Sequence, residues 1–321
     1  MKIVILVSVL LVGLFVLWSL NALPLFRDNA ALPNLQLIAL SEQLLWNVKT
    51  ETSTHEVELK LARIKMPELI SGLSNDQARK SFWINVYNAW YQILAIREKK
   101  AKPDVFTEKL ITVAETAFSL DDIEHGILRK YRWKLGLGYL PQFFPSRTIK
   151  QLSVSKLDYR VHFALNCGAR SCPPIAFYSY EDLEAQLETA TSVFLNTDTE
   201  IDSENQEVRL SRILQWFKGD FGGVRGIKKL LFRYLDDDVT GYSIGFKEYD
   251  WDESLRNFSE EIQSNSEITC PRCGHKKDET MPVDACQIYY VCENCNAVLR
   301  PLEGDCCVFC SYGSVKCPSK Q

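Results

Sequence analysis

Apolar residues recur at helical spacing through "LPNLQLIALSEQLLWNV", and again through "STHEVELKLARIKMPELIS". This predicts two helices, the second ending before Pro67. Asn75 or Ser74 can cap a third, "DQARKSFWINVYNAWYQILAIREKK", which is apolar all round between Phe82 and Ile96. A helix without a polar face is central and buried. It nevertheless carries Asn85 and Asn88, three apart and so on one face. A buried amide must be hydrogen-bonded or it costs a few kcal/mol, so something polar must lie against that face.

Further along, "KLITVAETAFS" reads as extended. Ser119-Leu120-Asp121-Asp122 then forms a capping pattern ahead of "IEHGILRKYRW", which places Glu124 and His125 inside a helix. Residues 160–165 read as a strand running into a cysteine loop. The amphipathic "YEDLEAQLETATSVFLN" predicts a helix, "EVRLS" a strand, "SRILQWFKGDFGG" and "VRGIKKLLFRYLDDD" two more helices, and "GYSIGFKEYDW" a closing strand. Helices dominate and a small sheet is interleaved, so the predicted class is α+β: a helix-rich main domain followed by a small Cys-rich module.

The most apolar stretch is residues 3–20, "IVILVSVLLVGLFVLWSL", without charge or proline and preceded by Lys2. Eighteen helical residues span roughly 27 Å, about the thickness of a hydrocarbon core. Trp18 sits where an interfacial aromatic would. A cleaved signal segment needs a small-x-small site, and Leu20-Asn21-Ala22 is a poor one. The pattern therefore predicts a single N-terminal membrane anchor within residues 1–25. The main domain (30–260) and the tail (266–321) would then lie outside the cytoplasm. The formal net charge of −4 gives no nucleic-acid-binding surface.

Eleven cysteines are unevenly placed: two in "RVHFALNCGARSCPPIAFYSY" and nine after Ile268. In the first group, Cys167 and Cys172 flank Gly168 and lie near His162. A thiol active site, half of a metal site, a disulfide loop and a tight turn with packed cysteines all fit this stretch. On a strand, five residues separate His162 from Cys167 by about 16 Å, on opposite faces. Cys172 is the better partner for His162, because Gly168 and Pro173-Pro174 let the chain return. Alternatively Cys167 meets His125. Arg170 and Arg129 are cations that would lower a thiol pKa. Outside the cytoplasm the two cysteines would instead pair with each other, closing a very short loop with little entropic gain.

"FWINVYNA", "SLDDIEHGILR", "HFALNCGARSCPP", "LSRILQWFKGDFG" and "FKEYDW" occur in this order. Together they resemble the ordered motifs of the domain of unknown function 547 family, over about residues 40–257. That resemblance implies that Asn85, Asn88, Glu124, His125, His162, Cys167 and Cys172 belong to one site. It carries no known reaction. A looser similarity in kind links the Cys-His combination to papain-like and transglutaminase-like thiol enzymes. Two functions therefore stand side by side. One is a binding or interaction module for a protein or small-molecule ligand. The other is a thiol-dependent hydrolase or transferase acting on an amide or thioester. In the second, Cys172 or Cys167 would attack, His162 or His125 would act as base, and Asn85 and Asn88 would orient the base or stabilise the oxyanion.

The tail is more specific. "CPRCG" and "CENCN" place Cys270, Cys273, Cys292 and Cys295 as two Cys-x-x-Cys knuckles eighteen residues apart, the spacing of a closed four-thiolate zinc ribbon. Gly274 and Asn296 suit the left-handed residue each knuckle needs, and "ACQIYYVC" between the knuckles reads as a strand. "GDCCVFCSYGSVKCP" resembles small cysteine-rich proteins marked by Gly-Asp-Cys-Cys-Val-x-Cys-Ser-Tyr-Gly. Cys306, Cys307, Cys310 and Cys317 then form a second soft-metal site or disulfides, with Cys286 left over. Thiols outside the cytoplasm persist mainly when a metal holds them, so zinc in the tail and an exterior tail are in tension.

Overall fold

The computed structural model describes residues 32–259, 265–282, 287–303, 305 and 307–317. Helix α1 (Leu35–Lys49) starts at Asn34, whose side chain accepts from the Gln36 amide, and buries Leu37, Ile38, Leu44 and Leu45. The single helix expected next is two, α2 (His55–Arg63) and α3 (Met66–Gly72). Pro67 lies in the first turn of α3, where its missing N–H costs nothing, so it begins a helix instead of ending one. Helix α4 (Asp76–Gln92) is capped by Asn75, which accepts from the Ala78 amide at 2.9 Å. Every residue from Ala78 to Gln92 is buried. It packs along α1 and runs on into a wider π-helical turn, Ile93–Arg97.

Strands β1 (Ile111–Val113) and β2 (Thr116–Phe118) form an antiparallel hairpin, turned by Ala114 and Glu115 with φ of 51° and 55°. The capping pattern is present: the Ser119 amide donates to Asp122 Oδ2 and the Asp122 amide to Ser119 Oγ, each at 3.0 Å. It opens a π-helical segment, Asp122–Leu128. After α5 (Arg147–Leu152), residues expected to be a strand form a 3-10 turn instead, Tyr159–Phe163. The long α6 (Leu183–Asp198) leads to β3 (Glu200–Asp202) and β4 (Glu207–Leu210), which pair antiparallel.

β5 (Ser243–Phe246) joins β4 in parallel. A parallel neighbour requires a long crossover, and here it holds α7 (Arg212–Trp216) and α8 (Gly223–Tyr234). The crossover carries Phe217, Asp220 and Phe221 back over the body. Two buried cores result. One surrounds α4 and includes Tyr87 and Ile127; the other includes Phe163, Phe194, Leu210, Phe221 and Leu231.

The tail has two further hairpins, β6 (Asn265–Thr269) with β7 (Lys276–Thr280) and β8 (Tyr290–Val291) with β9 (Val298–Leu299), then α9 (Val308–Tyr312). Helix-rich with small sheets, the fold is α+β as expected.

The membrane expectation is corrected. Among the described residues no helix is long and apolar enough to cross a bilayer. The helix buried on every face, α4, is covered by α1 and the rest of the body. The run at 3–20 lies outside the described residues, so attachment through an N-terminal helix and an extracytoplasmic body are not supported.

Candidate functional site

The polar partner demanded by Asn85 and Asn88 is backbone. Asn88 donates from Nδ2 to the Ala164 carbonyl at 2.8 Å and accepts the Asn166 amide at 2.9 Å. Asn85 does the same for Tyr178, donating to its carbonyl at 2.8 Å and accepting its amide at 3.1 Å. Both are clamps on chain segments, and among the described residues neither is hydrogen-bonded to an imidazole. Between them Asn166 braces the cysteine loop at both ends: Nδ2 donates to the Pro173 carbonyl at 2.7 Å, and Oδ1 accepts the Gly168 amide at 2.8 Å. Gly168 has φ +67°, and a Cβ there would run into the Tyr91 ring.

Cys167 and Cys172 are disulfide-bonded, with Cα atoms 6.2 Å apart. The Tyr249 hydroxyl lies 3.1 Å from Cys172 Sγ and 3.5 Å from Cys167 Sγ. Burial first, and then the Glu124 carboxylate, push the Tyr249 phenol well above its usual range, which keeps it protonated. The Tyr249 ring packs against both Trp216 and Trp251, with centroids 4.8 and 4.6 Å away, and the two tryptophans stack on each other at 5.5 Å. A strap from β5 crosses the loop: Arg170 donates its amide to Asp252, and Ser254 its amide to Gly168.

The two histidines join a different cluster. His162 Nε2 lies 2.8 Å from Oδ2 of Asp220, and the same oxygen accepts from Arg129 Nε at 2.6 Å. Arg129 Nη1 lies 2.7 Å from His125 Nδ1. An arginine can only donate, so this His125 nitrogen accepts and the ring is neutral, with its proton on Nε2 towards Asp121. Phe217 stacks on His162 at 4.2 Å, and the Arg129 guanidinium lies over the Phe217 ring, also at 4.2 Å. Tyr87 donates to Glu124 at 3.2 Å. The cluster sits where the two cores meet. Burial lowers both histidines, against the pull of Asp220 on His162 and of Glu124 on His125. Burial works against the Asp220 and Glu124 carboxylates, but His162 and Arg129 hold Asp220 below its usual value, and His125 and Arg129 do so for Glu124. Arg129 Nη2 and Asp220 Oδ1 remain buried without a hydrogen-bond partner.

The structure thus divides the residues expected to form one site. Glu124, His125 and His162 meet around Arg129 and Asp220; Cys167 and Cys172 meet each other; Asn85 and Asn88 hold backbone. Among the described residues neither histidine is bonded to a cysteine sulfur; the chain does return at Gly168, but it brings Cys172 to Cys167 and not to His162. Sequence reasoning missed Asp220, Tyr249 and Tyr87. The signal for Asp220 was its place between glycines in "FKGDFGG", which marks a turn but not a partner some sixty residues upstream.

In the tail, the sulfurs of Cys270, Cys273, Cys292 and Cys295 lie within 4.8 Å of one another. Cys270 and Cys295 sulfurs are 3.8 Å apart, and those of Cys273 and Cys292 3.6 Å. The knuckles are alike. Gly274 (φ 71°) and Asn296 (φ 52°) turn left-handed, and their amides donate to Cys270 and Cys292 carbonyls at 2.9 Å. The Cys273 thiol is lowered to about 6 by the Asn294 side chain and the His275 amide. Cys295 is raised to about 12: the Ala297 amide pulls it down, but the neighbouring Cys273, Cys292 and Cys270 outweigh it. Cys307, Cys310 and Cys317 form a second group within 4.8 Å. Both groups have the donors to hold a metal ion. Cys286 and Cys306 lie outside the described residues; of the strand expected between the knuckles, Tyr290–Val291 are strand β8 and residues 285–286 are outside the described residues.

No curated protein and no solved structure matches the chain. Residues 70–195, which carry both asparagine clamps, the disulfide, Glu124 and both histidines but not Asp220 or Tyr249, match the family described as "Protein of unknown function, DUF547".

Proposed function

We propose that the chain is a binding module built in two units, a ligand-binding body (residues 30–260) and a tail (266–321) organised by zinc. The observation that carries the tail is the spacing of its sulfurs. Zinc–thiolate bonds of about 2.3 Å at tetrahedral angles put ligand sulfurs about 3.8 Å apart. The cross-knuckle separations are 3.8 and 3.6 Å. Four protein ligands leave no open position, so this metal is structural. It supplies on the order of 10–16 kcal/mol to a unit with a small core of its own. Cys307, Cys310 and Cys317, with Cys306 as a fourth ligand, make a second soft-metal site.

For the body, the disulfide and the absence of a Cys–His bond among the described residues speak against a thiol hydrolase or transferase. Its buried polar groups hold segments in place, as a binding scaffold requires.

Native intact-mass analysis tests the reading. The full chain should carry zinc, and Cys270→Ser with Cys292→Ser should remove one ion per chain while leaving the urea transition of the body in place. Undiminished zinc in that variant ends the proposal.

A further inference from the structure

Two surface features have no role in anything described above, and their chemistry is complementary. The first is the loop between the π-helical segment and α5. Residues 130–146 contain three basic side chains, Lys130, Arg132 and Lys134, and no acidic one, in a chain of net charge −4, and Arg147 and Lys150 follow in α5. The same loop exposes large apolar side chains. Leu135 is 73% exposed, Phe143 67% and Phe144 86%, with Trp133, Leu137 and Tyr139 beside them. Isolated exposed apolar residues are ordinary, but a contiguous set marks an interaction surface.

The loop is also built to hold its shape. Trp133 donates its amide to Leu140 at 2.8 Å, Gln142 to Tyr131 at 2.7 Å, and Gly219 of the crossover donates to Leu137 at 2.7 Å. Gly138, at φ +81°, packs against Asp220, where a Cβ would strike the Asp220 backbone. A preorganised apolar loop loses little entropy on docking.

The second feature is a groove of about 560 Å³ beside α8. It lies away from the disulfide and the histidines. Its apolar walls include Leu231, Phe232 and Ile244, and it is bordered by the run Asp236-Asp237-Asp238, with Lys228 and Lys229 also lining it. Phe232 is open to solvent.

We infer that the basic aromatic loop of one copy docks head-to-tail into the acid-bordered groove of a second copy of this chain. Phe143 and Phe144 enter the groove, and Lys130 meets the three aspartates. Such a contact is heterologous, so it propagates into a ring or a filament.

Zero-length carbodiimide cross-linking of a mixture of nitrogen-15-labelled and unlabelled full chain tests this. The expected result is heavy–light cross-links between Lys130 and the 236–238 segment, as abundant as the like pairs. The Lys134–Asp121 pair, 2.7 Å apart within one chain, should give like pairs only and serves as the control. Phe143→Ser with Phe144→Ser should abolish the heavy–light links, as should Phe232→Ser with Asp237→Lys. Mixing those two variants should restore the links in one direction only. All four side chains are exposed, so an unchanged circular dichroism spectrum is expected of each variant. Like-isotope links alone, or heavy–light links that survive both variants, overturn the inference. So does binding to phosphatidylserine vesicles that the loop variant loses while no heavy–light link forms; wild type and variant share residues 1–31, so the difference reports the loop.

Discussion

His162 is hydrogen-bonded to Asp220, Nε2 to Oδ2 at 2.8 Å, and both side chains are buried. The same carboxylate oxygen holds Arg129 at 2.6 Å, and Arg129 is fully buried. Asp220 therefore balances a cation that has no access to water. Removing one partner of a buried ion pair leaves the other charge uncompensated, which costs about 3–5 kcal/mol. Asp220→Ala should lower stability by that amount, read from urea unfolding. Replacing both Asp220 and Arg129 by apolar residues should cost less than Asp220→Ala alone. A single-variant loss below about 1 kcal/mol, the range of an exposed pair, would count against this assignment.

The histidines set the response to acid. Burial lowers both below the ordinary value of about 6.5. Asp220, Arg129 and Glu124 face His162; Glu124, Arg129, Asp121 and Lys134 face His125. A histidine lowered in the folded state binds its proton more readily when unfolded. Its stabilising contribution is thus complete above about pH 6.5 and is lost as pH falls through the folded value. Asp220 and Glu124 are also lowered, so their contribution lasts above the ordinary carboxylate range and goes at lower pH. The urea midpoint should be level from pH 8 to about 6.5 and then fall in two stages. His162→Gln should flatten the first stage. A midpoint that rises between pH 6.5 and 5 would reverse the sign and refute the argument.

How much of this was readable beforehand depended on the range of each interaction. Asn75 as a cap, Ser119 with Asp122 as a capping box, and the all-round burial of α4 are local or periodic properties, and the structure has them. The need of Asn85 and Asn88 for polar partners followed from burial alone, although the partners, Tyr178 and Ala164–Asn166, lie far along the chain. The strand expected at 160–165 failed because "RVHFAL" is also what a buried 3-10 turn looks like: a short apolar run has no distinguishing period. Asp220 reaches His162 only because the parallel pairing of β4 and β5 carries the crossover back over the body. No local pattern encodes that pairing. The cysteine knuckles lie at the other extreme, since two residues of spacing and one left-handed turn fix both sulfurs of each.

The clamp on α4 makes a separable prediction. Asn88 is fully buried and bonds the Ala164 carbonyl and the Asn166 amide together. Asn88→Ala strands both groups, each of which costs about 1–3 kcal/mol when buried and unpaired. A loss of roughly 2–6 kcal/mol in urea unfolding is expected. Hydrogen exchange should quicken at Asn166 and Gly168, which the clamp holds, before it quickens at Ile111–Val113. Uniform acceleration would show that Asn88 stabilises the fold without positioning the loop.

The disulfide decides what the cysteine loop is for. Iodoacetamide applied without reductant, to chain whose tail thiols have been blocked, should label neither Cys167 nor Cys172, because both sulfurs are already bonded. After reduction, neither sulfur has a histidine within hydrogen-bond reach; the polar groups that reach Cys172 Sγ are the Tyr249 hydroxyl and the Cys167 amide, each at 3.1 Å. That arrangement supplies neither the imidazole nor the cation that activates a nucleophilic thiol, so alkylation of the reduced pair should be slow at neutral pH and quicken towards the pH of an ordinary thiol, about 8.5. The loop closed by the bond is short, so Cys167→Ser with Cys172→Ser should cost about 2 kcal/mol or less. Its Asn166 and Asn88 bonds should keep the loop in place. Rapid alkylation of Cys167 well below pH 8, slowed by His125→Ala or His162→Ala, would instead demand a rearrangement that brings a thiol to an imidazole. The enzyme reading would then have to be taken up again.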